Sequence, residues 1–177
     1  AEKLLSPDRI DLIAELSNRK FAQKCLEYIS SNMGDMKQLP ITTESYRIVA
    51  RSIEEVNHFI ARHPNVVLKA PLSGSGRGIR FVSDQLSHSD NGRCRNLISR
   101  HGCVIVEQRL TILQEFAMLF RCIGGNVEFC GYSLFYSHNG AYRGNILASN
   151  RYIEGKLSRF VPLEVLMESR RLLTSFL

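Results

Sequence analysis

Val66-Val67-Leu68-Lys69-Ala70-Pro71-Leu72-Ser73-Gly74-Ser75-Gly76-Arg77-Gly78-Ile79-Arg80-Phe81-Val82 is an apolar run ending in a lysine, a glycine-rich loop with one arginine, and a second apolar run. Glycines let a backbone turn tightly, and successive N–H groups can then face inward as an anion-binding nest. Lys69 enters the turn and Arg77 lies within it, so both cations can reach a bound phosphate. A hydrogen bond to a charged group contributes about 1.5–3 kcal/mol, so a few of them support micromolar nucleotide binding. Read alone, the same loop also fits a plain hairpin turn.

The flanks separate the kinds of phosphate loop. A Walker loop needs Gly-Lys-Ser/Thr opening a helix, whereas Gly78 is followed by Ile79-Arg80-Phe81-Val82, a strand pattern. A kinase glycine loop is also a hairpin, but its lysine comes on a later strand, and Lys69 precedes the glycines. A lysine on the incoming strand, a glycine hairpin and an outgoing strand resemble the ATP-grasp superfamily. That resemblance implies ATP as ligand. Lys69 and Arg77 would hold phosphates, with Ser73, Gly74, Ser75, Gly76 and Gly78 forming the loop that closes over them.

A second stretch carries the same resemblance. Cys103-Val104-Ile105-Val106 reads as a buried strand that ends at Glu107-Gln108-Arg109-Leu110. In ATP-grasp proteins the adenine binds at a linker between lobes, where a strand ends in Glu-x-x-apolar. Glu107, Gln108 and Leu110 match that pattern and are the expected adenine contacts. Without the hairpin before it, Glu107 would read as an ordinary strand-end carboxylate.

The rest of the chain fits around these two stretches. Ser6-Pro7 starts a helix with Ile10, Leu12, Ile13 and Leu16 at helical spacing, and Ser17-Asn18 caps a second helix carrying Phe21, Leu26 and Ile29. Arg19 and Lys20 lie in the first turn of that helix, where the dipole disfavours cations. They are either a solvated end or, as the resemblance implies, face a nucleotide phosphate. Met33 to Pro40 reads as a loop, and Leu39-Pro40 with Thr42-Thr43 resembles the step before the family's next strand. Tyr46 to Ala50 reads as a strand. Ser52-Ile53-Glu54-Glu55 is a capping box for a helix to about Arg62, with Val56, Phe59 and Ile60 inward. Ser83 to Gly92 reads as a polar loop, followed by a modest helix over Arg93 to Arg100.

Beyond Leu110, Glu115 to Ile123 alternates as a strand, Gly124-Gly125-Asn126 turns it, and Val127 to Tyr136 runs back. His138-Asn139-Gly140 turns again into Ala141 to Asn145. This meander resembles the start of the family's second lobe, which would place Glu115 near the ribose and Arg143 near phosphate or substrate; either also fits a surface position. Pro162 to Leu173 closes the chain as an amphipathic helix with Leu163, Leu166, Leu172 and Leu173 on its apolar side. The expected class is therefore α+β and ATP-grasp-like. A helical segment over 1–40 precedes a small antiparallel lobe with the glycine hairpin and hinge over 41–110, and a partial second antiparallel lobe occupies 111–177.

Composition excludes several classes. With 177 residues, 44% apolar and 23% charged, the chain can bury a real core. No apolar run is long enough to span a bilayer, and the N-terminus has no signal-peptide pattern. A start at Ala1 suggests a processed product or an excised piece. The net charge of +6 suits nucleotide phosphates or an anionic partner, but it is spread along the chain without a basic block, which argues against a nucleic-acid module. Cys25, Cys94, Cys103, Cys122 and Cys130 contain no C-x-x-C pair and fit buried thiols in a reduced, cytoplasmic protein. A metal site using Cys94, His101 and Cys103 is the alternative reading. His58, His63, His88, His101 and His138 are scattered and read as structural or solvated.

One part of the family pattern is missing. The resemblance implies magnesium held by an acidic residue on a later strand and a Glu-x-Asn pair. After Gly144 the carboxylates are Glu154, Glu164 and Glu168, and none forms that pair; Glu55-Val56-Asn57 falls in a helix before the hairpin. The expectation is a fragment of an ATP-dependent carboxylate–amine or carboxylate–thiol ligase acting through an acyl phosphate, poorly active by itself. The competing expectation is a truncated or degenerate relative that binds a nucleotide or a protein partner without catalysis. Open sheet edges in the partial second lobe would favour a homodimer.

Overall fold

The computed structural model describes residues 6–34, 46–74, 78–138 and 141–177. Its contacts divide the chain into two compact units, residues 1–24 with 41–109 and residues 25–40 with 110–177. No helix among the described residues is long and apolar enough to cross a membrane. The Leu39 to Thr43 step lies outside the described residues.

The first unit opens with α1 (Pro7–Leu16) and the start of α2 (Arg19–Asn32), where Asn18 Oδ1 accepts the Lys20 N–H at 2.9 Å. The apolar side of α1 does not enter a core: Ile10, Leu12, Ile13 and Leu16 are all about half exposed. Four strands follow, β1 (Arg47–Ala50), β2 (Val66–Lys69), β3 (Ile79–Val82) and β4 (Val104–Gln108). They form one antiparallel sheet in the order β1-β4-β2-β3. Helix α3 (Ile53–Arg62) connects β1 to β2, and α4 (His88–His101) connects β3 to β4.

Both helices supply the core of this unit. Ser52 Oγ accepts the Glu55 N–H at 3.2 Å to cap α3, and Ile53, Val56, Phe59 and Ile60 turn inward. They meet Ala50, Val66, Leu68, Val82, Val104 and Val106 of the sheet and Cys94 of α4. Each buried Val or Leu side chain contributes about 1.5–3 kcal/mol. Because strand side chains alternate, the residues between these face the other side of the sheet. Helix α4 begins within the expected polar loop. Ser87 caps it, accepting the Asp90 N–H at 3.1 Å, and a Ser-x-x-Asp box thus outweighs the polar composition that suggested a loop.

The second unit contains β5 (Glu115–Ile123), β6 (Asn126–His138) and β7 (Ala141–Ile146) as an antiparallel meander. Helices α5 (Asn150–Leu157) and α6 (Leu163–Phe176) cover one face. Ile153, Leu157 and Leu166 pack there with Tyr132 and Leu134, and Phe116, Met118, Phe129 and Ile146 surround them. The later part of α2 packs Tyr28 and Ile29 beside Val165 and Leu172. Helix α5 was not expected, since it has two buried apolar residues and a glycine inside it. Its first residue is tied to the sheet: Asn150 Oδ1 accepts the Tyr132 N–H at 3.1 Å, and a Cβ on Gly131 would lie 2.7 Å from the same oxygen. Leu163, expected on the apolar side of the last helix, is 41% exposed at its first turn.

Candidate functional site

Strand register assembles a charged cluster on the face of the first sheet away from α3 and α4. Arg47 on β1 lies opposite Glu107 on β4, Glu107 lies opposite Val67 on β2, and Lys69 lies opposite Ile105. Lys69 and Glu107 are thus diagonal neighbours, within reach for long side chains. Lys69 Nζ pairs with Glu107 Oε2, and Arg47 Nε lies 3.5 Å from Glu107 Oε1. The Arg47 side chain is 5% exposed, Glu107 14% and Lys69 25%.

Helix α2 brings a third cation to the hairpin. Arg19 Nη1 donates to the Ala70 carbonyl at 2.5 Å and to Ser73 Oγ at 2.7 Å, and its backbone N–H donates to the Pro71 carbonyl at 2.9 Å. Arg47 Nη2 donates in turn to the Arg19 carbonyl at 2.5 Å. Burial holds the Arg19 guanidinium below its ordinary pKa; Glu107 pulls it back up, and Arg47 lowers it further. Burial also raises the Tyr46 phenol, helped by the negative charge of Glu107 and opposed by Arg47.

The hairpin closes tightly at its base. The Ala70 N–H donates to the Gly78 carbonyl at 3.1 Å. Gly78 has φ +80, and a Cβ there would lie 2.9 Å from Ser73 Oγ and 3.2 Å from Ala70 Cβ, so this position requires glycine twice over. The outgoing strand is anchored separately. Arg80 Nε donates to Asp90 Oδ1 at 2.8 Å, and Ser87 Oγ donates to Asp90 Oδ2 at 2.6 Å. At the end of β4, the Arg109 N–H donates to the Asn65 carbonyl at 2.7 Å, and its guanidinium lies 4.9 Å from the centre of the Phe81 ring.

Among the described residues, the ion pairs give Arg47 and Lys69 one shared carboxylate, Glu107, while Arg19 is held by a carbonyl and a hydroxyl. The cluster therefore carries excess positive charge beside a glycine hairpin, which favours an anionic ligand. No three His, Cys, Asp or Glu side chains among the described residues come together in a group that could hold a metal ion.

No protein-family model matches the sequence, and no curated protein matches it. Solved structures do. N5-carboxyaminoimidazole synthetase from Staphylococcus aureus, complexed with ADP, superposes with a TM-score of 0.53 at 14% identity, over 88% of this chain and 37% of that one. The ADP complex of N5-carboxyaminoimidazole ribonucleotide synthetase gives 0.53 at 19% identity, over the same shares of 88% and 37%. The fold is ATP-grasp-like. The chain spans little more than a third of the length of either enzyme.

Within this ATP-grasp-like fold the expected site residues are not all brought together. Lys69, Glu107, Ser73, Gly78 and Arg19 come together in the first unit, joined by the contacts above. Gly74 is exposed at the loop entrance, and Lys20 is half-buried next to Arg19. Gln108 is the last residue of β4, and Leu110, 51% exposed, begins the second unit's share of the chain after it. Ser75, Gly76 and Arg77 lie outside the described residues.

Glu115 is engaged locally, its Oε2 accepting the Ser137 N–H at 2.9 Å and the Ser137 hydroxyl at 2.5 Å. Arg143 is exposed on β7. Arg47, Tyr46 and Asp90 were not anticipated. Alternation along β1 puts Arg47 opposite in face to Ile48, but its partner depends on which strand lies beside β1, which local pattern does not encode. Two cysteines also differ from expectation: Cys94 and Cys103 are buried, but Cys122 and Cys130 are exposed. Cys122 lies in the exposed end of the β5–β6 hairpin, and Cys130 falls at a register shift in the ladder.

Proposed function

We propose that this chain is the nucleotide-binding part of an ATP-dependent ligase that joins a carboxylate to an amine or thiol. The observation that carries the reading is the cluster at the base of a glycine hairpin in which, among the described residues, Arg47 and Lys69 share the carboxylate of Glu107 and Arg19 bonds Ala70 and Ser73. ATP supplies the phosphoryl group that would turn a carboxylate into an acyl phosphate open to attack. Lys69, partly exposed and on a flexible stem, would bind phosphate oxygens, a reading supported by its exposure beside the hairpin. Arg19 steadies the incoming arm of the hairpin through Ala70 and Ser73, and Gly78 sets the loop's base. Glu107 to Leu110 would take the adenine. A mechanism of this kind requires no protein nucleophile.

The test is coupled ADP and phosphate release from ATP by the chain within its full reading frame, screened against carboxylate and amine pools. Turnover that needs both a carboxylate and ATP supports the ligase reading. ATP binding with no carboxylate-dependent turnover contradicts ligation and leaves a nucleotide-binding role.

A further inference from the structure

Glu107 has two counter-ions, and they are not equivalent. Arg47 is 5% exposed, directly opposite Glu107 in the β1–β4 ladder, and pinned through Nη2 to the Arg19 carbonyl. Lys69 is 25% exposed and reaches the carboxylate diagonally from β2. Lys69 hydrogen-bonds Oε2, whereas Arg47 Nε lies 3.5 Å from Oε1 as an ion pair without a hydrogen bond.

We propose that Arg47 is a positioning residue that keeps Glu107 neutralised, so that Lys69 can leave the carboxylate for an incoming phosphate. The inference rests on the nucleotide reading above. Removing one partner of a buried ion pair strands the other charge, and that is strongly unfavourable. Were Lys69 the sole counter-ion, each phosphate bound through it would strand Glu107. The Arg47 guanidinium, held in place through the Arg19 carbonyl with its Nε 3.5 Å from the other oxygen, offsets that cost by charge. The same side chain holds the first carbonyl of α2, so Arg19 stays beside the hairpin while Lys69 moves.

The experiment is a double-mutant cycle read by calorimetric titration with inorganic tripolyphosphate and with ATP. The proteins are wild type, Arg47→Gln, Glu107→Gln and the double variant, each with its melting temperature. Arg47→Gln is expected to weaken tripolyphosphate binding about tenfold or more. In the Glu107→Gln background, with no carboxylate left to strand, the same change should cost less than about twofold, the additivity limit for uncoupled sites. Equal losses in both backgrounds, or no loss in either, overturn the proposal.

If Arg47→Gln does not fold, Arg47→Lys keeps the charge without the planar fork. Its affinity should stay within about twofold of wild type, and a loss as large as that of Lys69→Ala overturns the proposal. Wild type that binds neither ATP nor tripolyphosphate removes the nucleotide reading itself. Wild type that binds both, with no dependence on Glu107, removes the role of Arg47 alone.

Discussion

Arg19 and Ser73, 54 residues apart in sequence, are joined by a hydrogen bond of 2.7 Å from guanidinium to hydroxyl. The contact fixes the start of α2 against the incoming arm of the glycine hairpin. Arg19, expected either to be solvated or to face a phosphate, also has a structural duty in holding Ala70 and Ser73. Hydrogen bonds from a charged donor contribute about 1.5–3 kcal/mol. Arg19→Ala should therefore lower the unfolding free energy by about that amount in urea titration, and Arg19→Lys should recover part of it. An unchanged midpoint for Arg19→Ala would show that the contact does not hold the hairpin.

Gly78→Ala meets two obstacles, a φ of +80 and a Cβ 2.9 Å from Ser73 Oγ and 3.1 Å from Ser73 Cβ. Crowding of this kind costs about 1–3 kcal/mol. The variant should melt lower than wild type, and adding Ser73→Ala should not restore it, because Ser73 Cβ and Ala70 Cβ remain. Full rescue by Ser73→Ala would place the whole cost on the hydroxyl.

Asp90 links β3 to the start of α4 and gives the protein an acid-sensitive contact. The hydrogen bond from Ser87 holds its carboxyl below the ordinary value of 3.8, against desolvation, with Arg80 helping. A depressed folded value means the stabilisation is whole above 3.8 and is lost as pH falls through the lower folded value. Asp90→Asn should cost about 1 kcal/mol at pH 7. The difference between variant and wild type should shrink in urea titrations run progressively below pH 3.8. A gap that persists at the acid end would assign the effect to packing.

Thiol chemistry should separate the cysteines by location. Burial, with the charge of Asp90, pushes the Cys94 thiol up to about 11, whereas Cys122 and Cys130 are exposed. A thiolate-selective reagent at pH 8 should label Cys122 and Cys130 quickly in the folded protein and Cys94 only after unfolding. Rapid native labelling of Cys94 would mean that α4 opens readily.

Much of this fold was legible locally. The Ser52 and Asn18 caps, the two runs flanking the glycine loop and the alternation over Glu115 to Ile123 each announce their element from residues close in sequence. Lys69 and Glu107 were legible as site candidates because each follows an apolar run and precedes a turn or linker pattern. Arg47 was not, because its role comes from β4 being inserted between β1 and β2, a long-range pairing. Helix α5 escaped because its helical evidence is thin, with Gly155 inside and half of its residues exposed. Likewise α1 has helical spacing but no buried residue, so periodicity gave the helix without giving its partner.

Calorimetric titration of ATP into wild type and Lys69→Ala tests the nucleotide site most directly. Lys69→Ala leaves Arg47 on Glu107, so the variant should keep its melting temperature within a few degrees, on the order expected for a partly exposed ion pair. Saturable binding by wild type, weakened about tenfold or more in Lys69→Ala, is the expected result. Equal affinities for the two folded proteins, or no binding by wild type, would contradict a phosphate site at this hairpin.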